Sequence, residues 1–456
     1  MEVHVKDSKD ALSDASGLTS IFSEPNELRE AEGECGEYAN LSKINSRVSH
    51  RSHHSTITDE PPNGGLTAWL QVVAAFMCNV NAWGIINSFG EFQDYYSKEL
   101  LANEGPFRIS WIGCLTAAMT FAGTVFFGAL VDKGYQRIML LVAAVAQSFS
   151  LMMLSLCKNY WQVILCQGLL FGTAASMSFL VGMGTVTPWF TTKRPLAVGC
   201  AVLGSSVGGT VFSAAVHKML PEIGFGWSLR VLGFIVLAVG MVPALVIKPR
   251  LPPRKGGSLV AFECLEEPIF LMFCLGSFLA FSGFYQFYFY FQSWATHIDP
   301  TSEVLPYLTA IMNACSIVGR LAPSVLVQRI GAYNVLMLTE LLSAALSFAW
   351  MGAKTRGSTL TVGIIFAMVS GPIVAMPPII VSILTPNMNR IGVRLSFAFL
   401  CIGGGCLIGA PFTGMLIRKY GWIYGQLFCA LTWVLGLICI FGSRCLYTKG
   451  KLTWKA

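Results

Sequence analysis

Residues 188–216, PWFTTKRPLAVGCAVLGSSVGGTVFSAAV, set two aromatic rings and the basic pair Lys193 and Arg194 ahead of 22 residues that carry no formal charge. About 20 consecutive apolar residues suffice for a helix to cross the hydrocarbon of a bilayer, so the segment reads as a cationic turn at a membrane surface followed by a span. Gly204 and Gly208 lie four residues apart and open one face of that span to the backbone of a neighbour. Gly168 with Gly172 and Gly405 with Gly409 repeat the spacing elsewhere.

Outward from this segment the same alternation continues along the chain. Apolar stretches lie near 67–90, 109–131, 138–157, 161–187, 196–216, 230–247, 268–294, 304–327, 334–352, 359–384, 393–416 and 423–443. Of the 456 residues 54% are hydrophobic and 12% charged, with a mean hydropathy of +0.61, which excludes a water-soluble enzyme. The expected fold is an all-α membrane protein with twelve transmembrane helices.

Charge divides unevenly. Residues 1–60 hold 6 basic and 12 acidic side chains, and the remaining 396 hold 25 and 12. The acidic segment is rich in Ser, Asn, Asp and Glu and too poor in bulky apolar residues to offset the entropy of ordering, so it is expected as a disordered tail. With the N-terminus in the cytosol, inside loops carry 15 Lys or Arg and outside loops 9, and the positive-inside bias places both termini in the cytosol. The start is polar and reads as no cleaved signal peptide. No basic cluster stands clear of the spans, which excludes nucleic acid as a partner. The 14 cysteines are scattered singly, mostly within spans, and neither a disulfide framework nor a metal site is expected. Neither a phosphate-cradling Gly-x-x-x-x-Gly-Lys-Ser/Thr loop nor a His-Glu-x-x-His pair occurs, so neither an ATP-driven pump nor a membrane metalloprotease is read, and no cofactor is implied.

A Pro, Gly and basic stretch from Lys248 to Pro268 divides the spans six and six. The expected organisation is a cytosolic tail at 1–60, a six-helix half at 61–250, a cytosolic linker at 251–267, a second six-helix half at 268–445 and a cytosolic tail at 446–456. The halves echo each other. Thr187-Pro188 and Thr385-Pro386 each precede a basic loop and a Gly-rich span, and Gly128-x-x-x-Asp132-Lys133 after span two corresponds to Gln328-Arg329-Ile330-Gly331 after span eight. Two repeats around a central site are how many secondary transporters are built.

Three motifs carry a family resemblance: Asn63-Gly64-Gly65-Leu66-Thr67-Ala68-Trp69 leading into span one, Trp189 to Gly199 continuing through Gly204 and Gly208, and Gly128 to Arg137. On these the chain resembles the major facilitator superfamily and, within it, the monocarboxylate porter family, most closely its fungal members, over residues 59–445. The resemblance implies two six-helix halves that rock about a central site. It departs in Asn63, where the porter family has an acid, and in the inverted order of Gly134 and Tyr135. In well-known animal members a lysine late in span one and an acid one turn before the span-eight arginine are linked to proton coupling. Here Asn87 and Ser316 align with those positions, which leaves coupling open.

The motif residues also read physically. Gly64 and Gly65 permit a tight turn at the membrane surface, and Trp69 suits an interfacial anchor. Asp132, at the end of span two and near the start of span eleven, is favoured there by the helix dipole and is expected to latch the outward-facing state through Arg394 or Arg137. Gly128, Lys193 and Arg194 belong to the same gating set.

Arg320 lies inside span eight, and a guanidinium cannot lose its proton to escape a low dielectric. It must face a cavity or a partner, and its planar fork suits a carboxylate. Asn313 and Ser316 share its helix face, and Gly319-Arg320 matches the porter family's arginine associated with anionic substrate. The alternative is a structural ion pair with Glu340 at the start of span nine. Tyr285, Phe289 and Gln292 in span seven, with Asn79, Trp83 and Asn87 in span one, offer aromatic walls with amide groups, which suit a partly apolar organic anion. A proton carrier, if there is one, is Glu340, Glu91, Asp94 or His217. The reading is a secondary transporter of a small, monocarboxylate-like organic anion, working as a monomer in the lipid bilayer of the plasma or vacuolar membrane, with protons as a candidate coupling ion. Export of a fungal secondary metabolite and a non-transporting sensor on a transporter scaffold are the alternatives.

Overall fold

The computed structural model describes residues 63–191, 193–248, 250, 266–385 and 391–449. The expected tails at 1–60 and beyond 449, and the linker up to 265, lie outside the described residues. Twelve helical spans follow in order: α1 Leu66–Leu100, α2 Pro106–Asp132, α3 Gln136–Leu154, α4 Tyr160–Trp189, α5 (194–223), α6 (225–246), α7 Pro268–Ile298, α8 Leu308–Ile330, α9 Ala332–Gly352, α10 Arg356–Leu384, α11 Ile391–Tyr420 and α12 Trp422–Tyr447. No strand occurs among the described residues.

Ten helical runs among the described residues are long and apolar enough to cross a membrane. Two facts bring ten to twelve. The run Arg194–Val246 is a single helix through Pro221 until Gly224, whose φ of 75° and ψ of 166° are open to glycine, and there it turns back as α6. The other is α8, a 23-residue helix from Leu308 to Ile330 that is long enough to cross as well.

Glycine sets how closely the spans pack. A Cβ on Gly204 would lie 2.0 Å from the Phe76 carbonyl oxygen, and one on Gly208 would lie 2.8 Å from that of Val80, so α5 crosses α1 backbone to backbone. The second half repeats the crossing. A Cβ on Gly405 would lie 2.1 Å from the Phe278 oxygen and one on Gly409 2.6 Å from that of Ser282, so α11 lies on α7 as α5 lies on α1. Between the halves, α2 runs along α11 and α5 along α8. The centre of the molecule is where α1, α5, α7 and α8 meet.

Two departures from regular helix matter there. In α1 the regular helix ends at Asn87, Ser88 has φ −88° and ψ 2°, and the chain resumes as Phe89–Tyr95 and a wider turn at Tyr96–Leu100. In α4 a wider turn covers Ile164–Phe171. Wide turns and breaks inside spanning helices free backbone groups and tend to occur at functional positions.

Candidate functional site

Arg320 is buried at the centre, 3% exposed. Its Nη1 donates to the Val202 carbonyl at 3.3 Å and to the Ser205 hydroxyl, both on α5, and its Nε finds no partner among the described residues. No carboxylate pairs with it among the described residues; what surrounds its charge is carbonyl, hydroxyl and the Tyr285 and Tyr288 phenols. A charge that keeps its proton at every pH and is lodged among apolar helices is costly unless an anion compensates it.

Around the guanidinium stands a wall of rings. Trp83 of α1 lies 4.7 Å from Phe121 of α2 and 5.2 Å from Phe179 of α4, Phe121 lies 5.5 Å from both Phe281 of α7 and Phe399 of α11, and Phe284 lies 5.2 Å from Tyr285. Rings of α1, α2 and α7 from this network line one small cavity of about 10 Å³ together with Asn87, Ser205, Val374 and Arg320, while Phe179 of α4 and Phe399 of α11 back them from outside it. That volume holds about one water, whereas sites for organic molecules run to roughly 300–1,000 Å³. In this conformation the centre is closed, and an organic ligand needs the halves to part.

The expected binding residues divide. Asn87 and Tyr285 line the cavity with Arg320, and Asn87 Nδ2 donates to the Ser205 carbonyl at 3.2 Å. Ser316 and Asn313 form a polar column along α8 leading away from Arg320. The Ser316 hydroxyl lies 2.7 Å from that of Ser206 on α5, and Asn313 Nδ2 donates to the Asn87 carbonyl at 3.3 Å and to Thr309 O at 2.9 Å. Asn79 and Gln292 stand apart. Asn79 donates to the Ala75 carbonyl of its own helix at 2.9 Å, and Gln292 binds Leu305 O, Pro306 O and the Thr309 backbone and hydroxyl, holding the α7–α8 turn in place. Their polar atoms are engaged in structure and do not line the cavity.

Sequence reading missed Phe121, Ser205, Phe281 and Phe284. Phe284 opens the aromatic run that continues to Phe291 in span seven, and Phe281 lies three residues ahead of it on the same helix. Phe121 was signalled by being the single ring in the small-residue stretch from Ala117 to Gly123, and Ser205 by its place between the paired glycines.

The ion pair expected as an alternative for Arg320 does not form. Glu340 is fully buried on α9 and neither carboxyl oxygen has a partner among the described residues, while Arg320 faces α5. Of the gating set, Gly128 sits where α2 meets α11, a Cβ there lying 3.9 Å from the Ser396 hydroxyl. The Asp132 side chain lies outside what is described. Arg394 grips Glu267 at the start of α7 with both Nη atoms, one at 2.8 Å, and lies 4.7 Å from the Phe270 ring centre. Arg137 donates to the Ile247 carbonyl at 2.9 Å, Arg194 to that of Phe190 at 3.1 Å, and Lys193 is exposed.

At the same end, Asn63 Oδ1 accepts from the Thr191 backbone at 2.6 Å while its Nδ2 donates to the Thr191 hydroxyl, and Trp69 packs edge-on against Phe190 at 5.4 Å. Gly65, at φ 89°, lets the chain turn from this clamp into α1, and Gly64 beside it has open space around its Cβ position. The first and second sequence motifs thus meet in space. At the opposite end Glu91 and His217 come within 3.2 Å, and Asp94 pairs with Lys98 at 2.7 Å.

Comparison with known proteins agrees with this architecture. The family model of the Major Facilitator Superfamily matches residues 68–391. The chain is 34% identical over 371 residues to the MFS-type transporter dbaD of Emericella nidulans, covering 80% of this chain and 84% of that one. It is 30% identical to the agnestins efflux protein of Paecilomyces divaricatus, over 89% of this chain and 94% of the relative, and 30% identical to the aspyridones efflux protein of Emericella nidulans, over 86% and 80%. Among solved structures it resembles the nucleoside transporter NupG with a TM-score of 0.62 at 14% identity, over 84% of this chain and all of that one.

Proposed function

The chain belongs to the major facilitator superfamily, and we propose that it exports a small organic anion with an aromatic or planar body by alternating access, from the cytosol across the plasma membrane. The observation that carries this reading is Arg320: a buried guanidinium with no carboxylate among its described partners, lining a small cavity with rings of α1, α2 and α7. An anionic group would replace the missing counter-charge through a forked contact, and flat apolar substance would stack between Trp83, Phe121 and Tyr285. A short aliphatic acid satisfies the first requirement and leaves the second unused. The monocarboxylate porter resemblance supports the anion, and efflux proteins among the relatives support the direction. The basic excess on the loops at the Lys133, Lys193 and Arg329 end favours that end as cytosolic, with both termini on the same side.

The test is release of preloaded labelled acids from cells lacking their own exporters, using benzoate, hydroxybenzoates and aromatic enols beside acetate and lactate. Wild type should release the aromatic acids saturably and the short acids poorly, and Arg320→Gln should release neither at equal surface expression. Wild type at the surface that releases no acid, or an Arg320→Gln variant that equals it, sinks the reading.

A further inference from the structure

We propose that Glu91 and His217 form a proton-binding site that closes the outer end of the pathway. Glu91 follows directly on the break at Ser88, where α1 changes course, and it is 6% exposed. Its Oε2 lies 3.2 Å from His217 Nδ1 on α5, and its Oε1 is buried without a partner among the described residues. His217 is half-buried, and its ring stands edge-on to Tyr307, 4.5 Å between centres. Tyr307 belongs to the turn leading into α8, so the pair reaches across from the first half to the second.

Few charges approach this pair, and the two that do oppose each other. On α1, Asp94 and Lys98 bind each other at the rim. On α5 the neighbouring Lys218 is exposed. From α7 come Phe289, against Phe89 at 4.9 Å, and Gln292, whose polar atoms serve the α7–α8 turn. On α2, Arg108 is engaged with Glu104 and lies over Tyr160. Glycine at position 90 seats α1 on Thr309 of α8, a Cβ there lying 3.1 Å from its hydroxyl. The pair therefore sits in a tight contact between halves, with Tyr307 on the imidazole and the opposed charges of Asp94 and Lys98 as the nearest described neighbours that act on it.

In the closed arrangement one proton serves both groups, held on His217 Nδ1 and directed at Glu91 Oε2. When it leaves, Glu91 keeps its charge with one oxygen already unpartnered in an apolar contact, and hydration is reached by parting α1 and α5 from Tyr307. Imidazole is the side chain that gains and loses its proton in the physiological range, so acid on the outer face favours closure and rising pH favours opening. This supplies the coupling that Asn87 and Ser316 lack, and it rests on the outward orientation adopted above, not on the identity of the cargo.

The test uses purified full-length protein in nanodiscs, with spin-labelled non-natural amino acids at the exposed positions Ser97 and Thr301 and pulsed dipolar distances recorded from pH 5.5 to 8.5. The expected result is a shift of the wild-type distribution toward longer distances as pH rises. Glu91→Gln should show no pH response, His217→Ala should be open throughout, His217→Lys should be closed throughout, and Asp94→Asn should keep a pH response, its midpoint moved to lower pH. A pH-independent wild-type distribution overturns the proposal, and so does a normal response in Glu91→Gln. Because no cargo enters the measurement, a protein that exports nothing still reports on the gate. A working exporter whose gate ignores pH overturns the gate alone.

Discussion

At Arg320 the charge and the fork can be separated. Lysine keeps the charge and loses the planar pair of donors, so Arg320→Lys should reach the surface normally and need more substrate for half-maximal export, the loss matching a charge-assisted hydrogen bond, about 1.5–3 kcal/mol. Unchanged half-saturation would mean that the fork contacts no substrate. Glu340 makes the opposite case: neither of its buried oxygens has a described partner, so its carboxyl holds nothing that an amide of the same shape would release, and Glu340→Gln should leave export and its pH response as in wild type. An export loss there at equal expression would reinstate Glu340 as a working proton carrier. Asn63 needs both ends of its amide, since one accepts from the Thr191 backbone and the other donates to its hydroxyl. Asn63→Asp keeps the acceptor, loses the donor, and should lower thermal stability by the cost of about one hydrogen bond, roughly 1 kcal/mol. Arg320 was legible in the sequence because a charge inside an apolar run has few explanations. Glu267 was not, because a carboxylate just ahead of a span reads as ordinary surface until Arg394 is seen to hold it.

Between elements, contact is governed by what glycine leaves out. At Gly405 an added methyl would lie 2.1 Å from a carbonyl oxygen of α7, which cannot swing aside as a side chain can, whereas at Gly184 nothing lies within 4 Å. Gly405→Ala should therefore cost at least the 1–3 kcal/mol typical of overpacking, about what separates a stable span pair from a loose one. Gly184→Ala should be neutral or gain up to about 1 kcal/mol from helix propensity. Melting of the two variants in detergent would compare them, and equal melting temperatures would contradict the backbone crossing of α7 and α11. The four-residue spacing made both Gly-rich crossings legible, because a small-residue stripe has one use in a spanning helix. The α5–α6 connection was less so. Leu220-Pro221-Glu222 reads as a loop, yet proline is tolerated in a long helix and the turn waits for Gly224, whose positive φ no local pattern announces.

Across the whole molecule, closure at the centre follows from contacts on α8 at nearly every turn: Tyr307 with His217, Thr309 beside Gly90, Asn313 with Asn87, Ser316 with Ser206, and Arg320 with Ser205. These contacts join the two halves over the route that an organic molecule would take, and most use one weak polar bond each, so they part together at modest cost. The sequence showed that α8 had a polar face and hid its partner, because pairing of α8 with α5 joins residues more than a hundred positions apart. Ser206 and Ser316 offer the cleanest handle, their hydroxyls lying 2.7 Å apart across the halves. Cysteines at these sites would carry their sulfurs where the two hydroxyls now meet, close enough for oxidation to join them. Ser206→Cys with Ser316→Cys should cross-link on oxidation and stop export, and reduction should restore it, while each single substitution should export before and after oxidation. A cross-linked protein that still exports would show that the halves open without separating α5 from α8, and the pathway would have to run between α2 and α11 instead.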